Sequence, residues 1–219
     1  MKIIIYIILS NFLIFNALFA SSINIQNISG LKQINSWKAL RDKDIVKQDF
    51  DYSCGSASMA TILNGFYGDS VTEMDLIKDI NRKDASSFAD LKRVVEKRGY
   101  QVLGLAANLN HLQTLKIPAL LYLNYRGQDH FTVFRGMNDK VVLLSDPSWG
   151  NKKILISQFL NMWKTRDESH LYGKMLLIFS DKQANKAFFQ PPTHSNTIYD
   201  SIMLNGVKAN INLRFTRKR

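Results

Sequence analysis

The hydrophobic pattern of this chain changes its period near the middle. In the first half, apolar residues recur at the spacing of an α-helix, which predicts helices over residues 54–66, 72–80 and 87–98. Thr72 is a suitable N-cap for the second helix, and Asp75 three positions later completes a capping pattern. The residues of this second helix that we expect to face the interior are Met74, Leu76, Ile77 and Ile80.

Beyond residue 100, apolar residues occur in short runs bounded by turn residues, which is typical of β-strands. These runs predict strands over residues 100–106, 119–125, 130–137, 140–146 and 173–180, and two short helices over 108–116 and 157–163. Asn138 and Asp139 supply the turn between two of the strands. Helices followed by strands predict an α+β fold, in which the N-terminal helices pack against one antiparallel sheet.

The first 22 residues have the composition of a secretory signal peptide. Lys2 supplies a positive charge, an apolar run extends to about Phe19, and small residues follow. Cleavage is expected after Ala20 or Ser22, and retention of the segment as a membrane anchor is the alternative. Both alternatives place the rest of the chain outside the cytoplasm, in the periplasm or the extracellular space.

Four segments follow from this pattern: a signal peptide (1–22), a lead-in segment (23–44), a folded domain (45–180) and a basic extension (181–219). The net charge is +11, and the extension holds seven Lys and Arg against two Asp. We interpret it as a solvated terminus, or as an arm that contacts an anionic surface or a partner. No nucleic-acid motif accompanies the charge, so nucleic acid is not an expected partner, and a monomer is expected.

Cys54 is the only cysteine among the 219 residues, and it lies where the first helical pattern begins. A single thiol in an exported chain forms no internal disulfide, which leaves an intermolecular bridge, an inert buried thiol or a nucleophile. The start of a helix favours negative charge, and the thiolate is the reactive form of cysteine. Small residues follow from Gly55 onwards and leave the thiol uncrowded.

A nucleophilic thiolate requires a base, and the base requires an acceptor that orients it. Of the four histidines, only His130 begins a strongly apolar strand, and Asp146 ends the next strand. A two-residue turn between these strands would direct the two side chains to opposite faces of the sheet. We therefore predict an odd loop or a bulge in this hairpin.

Acyl transfer also requires donors that stabilise the developing oxyanion. The backbone N–H of Cys54 is one candidate, and the side-chain amide of Gln48, six residues upstream, is the second. No metal or cofactor is expected, because the histidines are scattered and lack the spacing of metal ligands.

The segments QDFDYSCGSASMATIL, HFTVFRG and LSDPSWG together resemble the papain-like cysteine peptidases. They resemble most closely family thirty-nine, the bacteriocin-processing group that cuts peptide leaders after a double glycine. The resemblance covers roughly residues 45–180 and implies a papain-like fold. It also implies roles for four residues: Cys54 as nucleophile, His130 as general base and acid, Asp146 as the orienting acid and Gln48 as the oxyanion donor.

The function that we expect is an exported cysteine endopeptidase, which hydrolyses peptides or exposed segments of secreted proteins through an acyl-enzyme. Two alternatives stay open. One is a catalytically silent papain-like domain that binds a peptide or assists assembly of an exported system. The other is an amidase or transglutaminase that acts on cell-wall peptides. Double-glycine specificity also stays open, because an exported site lies across the membrane from an unexported leader.

Overall fold

The computed structural model describes residues 20–25, 28–33, 36–81 and 84–190. Residues 1–19 of the predicted signal peptide and residues 191–219 of the predicted basic extension lie outside the described residues. The chain divides into two compact units, Met1–Lys43 and Asp44–Arg219. The elements described in the first unit are an antiparallel pair of strands and a short helix: β1 (Ala20–Ile25), β2 (Ile28–Gln33) and α1 (Trp37–Arg41).

Three helices open the second unit and confirm the helical pattern of the first half of the sequence. They are α2 (Cys54–Tyr67), α3 (Glu73–Ile80) and α4 (Phe88–Lys97). Thr72 caps α3 through a reciprocal capping box with Asp75, as predicted. Within the described residues, no helix combines the length and the apolar character required to cross a membrane.

One six-stranded antiparallel sheet forms the rest of the second unit, in the spatial order β3-β8-β4-β5-β6-β7. Its strands are β3 (Gln101–Ala107), β4 (Ala119–Tyr125), β5 (Gln128–Met137), β6 (Val141–Asp146), β7 (Gly150–Leu155) and β8 (Gly173–Phe179). Two short helices lie between them along the chain, α5 (Leu109–Thr114) and α6 (Ile156–Trp163). The sequence pattern did not predict β7, a lysine-containing strand at the edge of the sheet.

Hydrophobic side chains form two cores, which use alternate residues of the same strands. Buried residues of α2, α3 and α4 form the first core with strand residues such as Val133 and Ile178. The second core contains Phe159 and Trp163 of α6, packed with strand residues such as Phe134. Burial of a large apolar side chain contributes about 1.5–3 kcal/mol, so both cores hold the sheet firmly. The α+β architecture is as predicted, with α6 adding a second packed layer.

The prediction that Met74 faces the interior is wrong. Met74 is 39% exposed, whereas the preceding Glu73 is only 4% exposed. The buried positions of α3 are Glu73, Leu76 and Ile80, at the three- and four-residue spacing of one helix face. Glu73 occupies this face because its carboxylate accepts hydrogen bonds from the backbone N–H of Asp49, a tertiary contact that hydrophobic periodicity does not reveal.

Candidate active site

The N-terminus of α2 is held against the start of β5. Ser58 of α2 donates a hydrogen bond of 3.2 Å to the backbone carbonyl of Phe131. Gly55 permits the close approach, because a Cβ there would lie 3.0 Å from Leu91 and 3.1 Å from Phe131. Cys54, the first residue of α2, is thereby placed next to the strand that carries His130.

A bulge in the β5–β6 hairpin sets the faces of His130 and Asp146. Near the turn Met137 pairs with Val142, but beyond a shift at Arg135 the partner of Val133 is Ser145. Continuing the first register would place His130 and Asp146 on opposite faces, since paired residues share a face and neighbours alternate. The shift restores a common face, which confirms the prediction that this hairpin contains an odd loop or a bulge.

Asp146 holds the imidazole of His130 by a short hydrogen bond. The distance from His130 Nε2 to Asp146 Oδ2 is 2.9 Å, and Asp146 is only 6% exposed. The other carboxylate oxygen of Asp146 accepts the backbone N–H groups of Ser148 and Trp149 at 3.0 and 2.9 Å. Both oxygens are therefore engaged, and the carboxylate orientation is fixed by the turn that follows β6.

The charge state of His130 follows from its two partners. Burial alone would lower the pKa of His130, but hydrogen bonds to Asp146 and to Cys54 raise it to about 9. Nε2 faces Asp146, so Nδ1 is the ring nitrogen left for the sulfur. A pKa of about 9 means that the ring is an imidazolium near neutral pH and donates from both nitrogens.

The charge of Asp146 is stabilised despite its burial. Burial alone would raise the pKa of Asp146, but hydrogen bonds from His130 and from the backbone N–H of Trp149 hold it below its usual value. Since a buried carboxylate requires partners for its charge, the pair with His130 is mutually stabilising. The arrangement is suited to a thiolate–imidazolium pair, in which the ring can donate a proton to a leaving group and later take one from water.

Gln48 lies in the loop before α2, between the turn that follows β6 and the segment that leads to Cys54. Its Oε1 accepts a hydrogen bond of 2.6 Å from the Ser148 hydroxyl, and its Nε2 donates to the carbonyl of Phe50 at 2.9 Å. The hydroxyl of Ser53, the residue before Cys54, donates to the same carbonyl at 2.7 Å. The structure thus brings Cys54, His130 and Asp146 together, and it links Gln48 to them through Ser148 and Phe50.

Sequence reasoning missed the residues that hold these four in place. Ser148 and Trp149 orient Asp146 through backbone N–H groups, and the Asp-Pro-Ser-Trp turn was a usable signal, because an Asp side chain often accepts such bonds. Glu73 also contacts the site, through Asp49. No local sequence pattern predicted this contact of Glu73, because its partner Asp49 lies 24 residues upstream.

An exposed aromatic pair borders the carboxylate side of the site. The Trp149 side chain is 53% exposed and meets Tyr125 edge to face, with ring centroids 6.4 Å apart. The ammonium group of Lys152 lies 4.5 Å from the centre of the Trp149 ring. The indole is therefore a surface feature of this region, unlike Trp163, which is fully buried in the second core.

The sequence model of the peptidase C39 family matches residues 42–166, a range that contains all four candidate residues. Two curated relatives, from Pseudomonas aeruginosa and Pseudomonas fluorescens, are each named "Probable functional amyloid protease FapD" and are 34% identical to this chain over 140 residues. Each alignment covers 60% of this chain and 62% of the relative. The chain therefore spans less than two thirds of the length of these relatives.

A solved structure supports the fold. The chain is similar to a double glycine motif protease from an AMS/PCAT transporter, crystallised in complex with a leader peptide, with a TM-score of 0.52 and 22% identity. The match covers 61% of this chain and 89% of that protein. The similarity identifies the helices and antiparallel sheet described above as a papain-like fold.

Proposed function

Because the chain belongs to the peptidase C39 family, we propose that it is a cysteine endopeptidase that hydrolyses peptide bonds outside the cytoplasm. The observation that carries the proposal is that the His130 imidazole is hydrogen-bonded to both Cys54 and Asp146. An inert core thiol packs against apolar side chains, whereas Cys54 is hydrogen-bonded to an imidazole that is itself held by a buried carboxylate. The predicted signal peptide supports the extracytoplasmic location.

In this mechanism, the Cys54 thiolate attacks the carbonyl carbon of the scissile bond and forms a tetrahedral oxyanion. The imidazolium of His130 then protonates the departing amine, which leaves a thioester on Cys54. Neutral His130 next removes a proton from water, and the resulting attack releases the acid and restores the thiolate. Asp146 keeps the ring oriented and stabilises its positive charge throughout.

Gln48 is our proposed side-chain donor to the oxyanion, together with the backbone N–H of Cys54. Nε2 of Gln48 carries two protons, and the hydrogen bond to Phe50 uses one of them. The second proton is the one that would bind the oxyanion. Loss of a single donor of this kind typically lowers kcat by about 10²–10³.

For the substrate, we propose a polypeptide of a functional amyloid system, cleaved within an exposed segment. The name of the two Pseudomonas relatives supports this class. Cleavage after a double glycine is not part of the proposal. A pair of otherwise identical quenched fluorescent peptides, one with Gly-Gly and one with Ala-Ala before the scissile bond, measures that preference directly.

Thiol reactivity tests the proposal even before a substrate is identified. Iodoacetamide would be added at pH 7, and the alkylation rate of Cys54 followed by mass spectrometry for the wild type, His130→Ala and His111→Ala. A free thiol is only a few per cent ionised at this pH, so the ion pair should make the wild type react about tenfold faster than His130→Ala.

The His111→Ala variant is the matched control, because His111 caps α5 through Asn108 rather than contacting the site. It should react as fast as the wild type. Equal rates for all three proteins would contradict the peptidase and would favour the catalytically silent peptide-binding domain. Cleavage of the quenched peptides by the wild type, and its loss in Cys54→Ala, completes the test.

A further inference from the structure

We propose that Glu73, a buried carboxylate outside the catalytic triad, is a positioning residue that holds Gln48 in place for oxyanion stabilisation. The inference rests on the proposed function, because it assigns a role within the same site. Glu73 is 4% exposed and begins α3. Both of its carboxylate oxygens accept the backbone N–H of Asp49, at 3.1 and 3.2 Å, and Asp49 directly follows Gln48.

A carboxylate in this position costs free energy unless its contacts compensate, because burial removes it from water. The first turn of α3 offers a partly compensating environment, since the N-terminus of a helix favours negative charge. The helix needs no cap from Glu73, because Thr72 and Asp75 already form the capping box. The contact that accounts for burial of Glu73 is therefore the one with Asp49.

The segment that carries Gln48, residues 46–50, which we term the Gln48 loop, is anchored at four backbone N–H groups, of which that of Phe50 donates to the Ser53 hydroxyl at 3.3 Å. Val46 donates to the Thr61 hydroxyl of α2 at 2.9 Å. Gln48 itself donates to the carbonyl of Pro147, in the turn after β6, at 3.2 Å. Asp49 donates to the carboxylate of Glu73. The backbone is thus held on both sides of the Gln48 Cα, and Glu73 is the charged anchor.

Anchoring of this backbone determines where the Gln48 amide lies. The amide must be within hydrogen-bond distance of an oxygen that carries full charge only in the transition state, and a displacement of about 1 Å can cost 10²-fold in rate. Loss of the Glu73 contact would free the backbone N–H of Asp49, the residue next to Gln48, while the bonds made by the backbone N–H groups of Gln48 and Phe50 remain. Such a release should weaken transition-state stabilisation, while substrate binding and the thiolate–imidazolium pair remain as they are.

The experiment measures kcat and KM for the quenched peptide that the wild type cleaves, with Glu73→Ala and Glu73→Gln. We expect Glu73→Ala to lower kcat about tenfold with KM little changed, a smaller effect than loss of the donor itself. Glu73→Gln retains one acceptor oxygen at the same place and should recover most of the activity. The alkylation rate of Cys54 should match the wild type in both variants, because alkylation forms no oxyanion.

Asp75→Ala is the matched control for stability of α3. It removes the capping box from the same helix but leaves the Glu73–Asp49 contact untouched. The values of kcat for Glu73→Ala and Asp75→Ala are compared at temperatures equally far below the Tm of each variant. This comparison separates positioning of the Gln48 loop from general stability of α3. If Asp75→Ala lowers kcat as much as Glu73→Ala does, the effect is a general loss of α3 and the inference is overturned.

A double mutant links Glu73 to Gln48 specifically. In a Gln48→Ala background the donor is already absent, so adding Glu73→Ala should produce no further fall in kcat. Multiplicative effects of the two substitutions, or a Glu73→Ala variant as active as the wild type, would overturn the inference while leaving the peptidase intact. A wild-type protein that cleaves no peptide and shows no enhanced alkylation would instead end the proposed function, and the Glu73 role with it.

Discussion

The His130–Asp146 pair and the Gln48 loop lie on either side of the turn from Pro147 to Trp149, yet different kinds of structure hold them. His130 and Asp146 stand on paired strands of the central sheet, and Asp146 is 6% exposed. Gln48 is half-buried and belongs to no helix or strand. Its backbone N–H donates to Pro147, and its side chain bonds Ser148 and Phe50, while the neighbouring Asp49 is held by Glu73.

This difference assigns different tasks to the two regions. A bond on paired strands is supported by the ladder and by two cores, so it holds its geometry whether or not substrate is present. The Gln48 loop depends on a few individual contacts, each worth about 0.5–1.5 kcal/mol. We expect substitutions on the strand side to abolish activity, and substitutions on the loop side to reduce it in graded steps.

The largest effect is expected from Asp146→Asn, which tests the strand side. The amide keeps an oxygen for the turn N–H groups but loses the charge that stabilises the imidazolium, so kcat should fall by about 10³–10⁴. The pKa of His130 should fall from its value of about 9, because the hydrogen bond to the Asp146 carboxylate is the larger of the two that raise it. NMR titration of His130 measures the pKa change, and the pH profile of kcat for the quenched peptide measures both changes.

The expected sign of that change is specific. A lower pKa for His130 means that the ring loses its proton at lower pH, so the alkaline limb of the profile should move to lower pH in Asp146→Asn. An unchanged limb would show that Asp146 does not control the charge of His130. Ser145→Ala, one residue earlier on the same strand, is a control for disturbance of β6.

The next largest effect is expected from Gln48→Ala, which tests the loop side. It removes the proposed oxyanion donor, and kcat should fall by about 10²–10³. KM and the alkylation rate of Cys54 should stay near their wild-type values, because neither depends on the oxyanion. Measurement of both rates on one preparation sharpens the comparison: Asp146→Asn should change alkylation, whereas Gln48→Ala should not.

The strand side was also the more predictable from the sequence. The helix that begins at Cys54 and the strands that carry His130 and Asp146 follow from hydrophobic periodicity, which is fixed by neighbours along the chain. The need for an irregular hairpin followed from the two-residue alternation of strands. Its position at Arg135 did not, because a bulge depends on how two strands fit together.

Of the loop side, the sequence predicted Gln48 but none of the contacts that hold it. Gln48 was found by its distance from Cys54, but its partner Ser148 lies 100 residues away along the chain, and Glu73 lies 24 residues from its own partner, Asp49. Periodicity included Met74 in the inward face of α3 and left out Glu73, because it weighs only hydrophobic character. The burial of an acid that binds a distant backbone N–H depends on tertiary contacts, and a single sequence carries no local signal for it.

A third prediction concerns stability against pH. The folded pKa of His130, about 9, lies above the usual value of 6.5. The stabilising contribution of this group is therefore fully present below pH 6.5 and is lost as pH rises through 9. The loss should be on the order of 3 kcal/mol in the free energy of unfolding. Urea unfolding at pH 6.5 and pH 9.5 measures it, and His130→Gln should show a much smaller difference than the wild type.

The smallest effect is expected from Ser148→Ala, which removes one contact of the Gln48 loop and nothing from the strands. The hydroxyl of Ser148 donates to Gln48 Oε1 at 2.6 Å, whereas its backbone N–H, which orients Asp146, remains in the variant. Loss of one exposed hydrogen bond of about 1 kcal/mol should lower kcat about fivefold. The pKa of His130 should not change, and Ser157→Ala on α6 should behave as the wild type. A fall as large as that of Asp146→Asn would mean that the loop and the strands act as one unit, because only then would a loop contact control the imidazole.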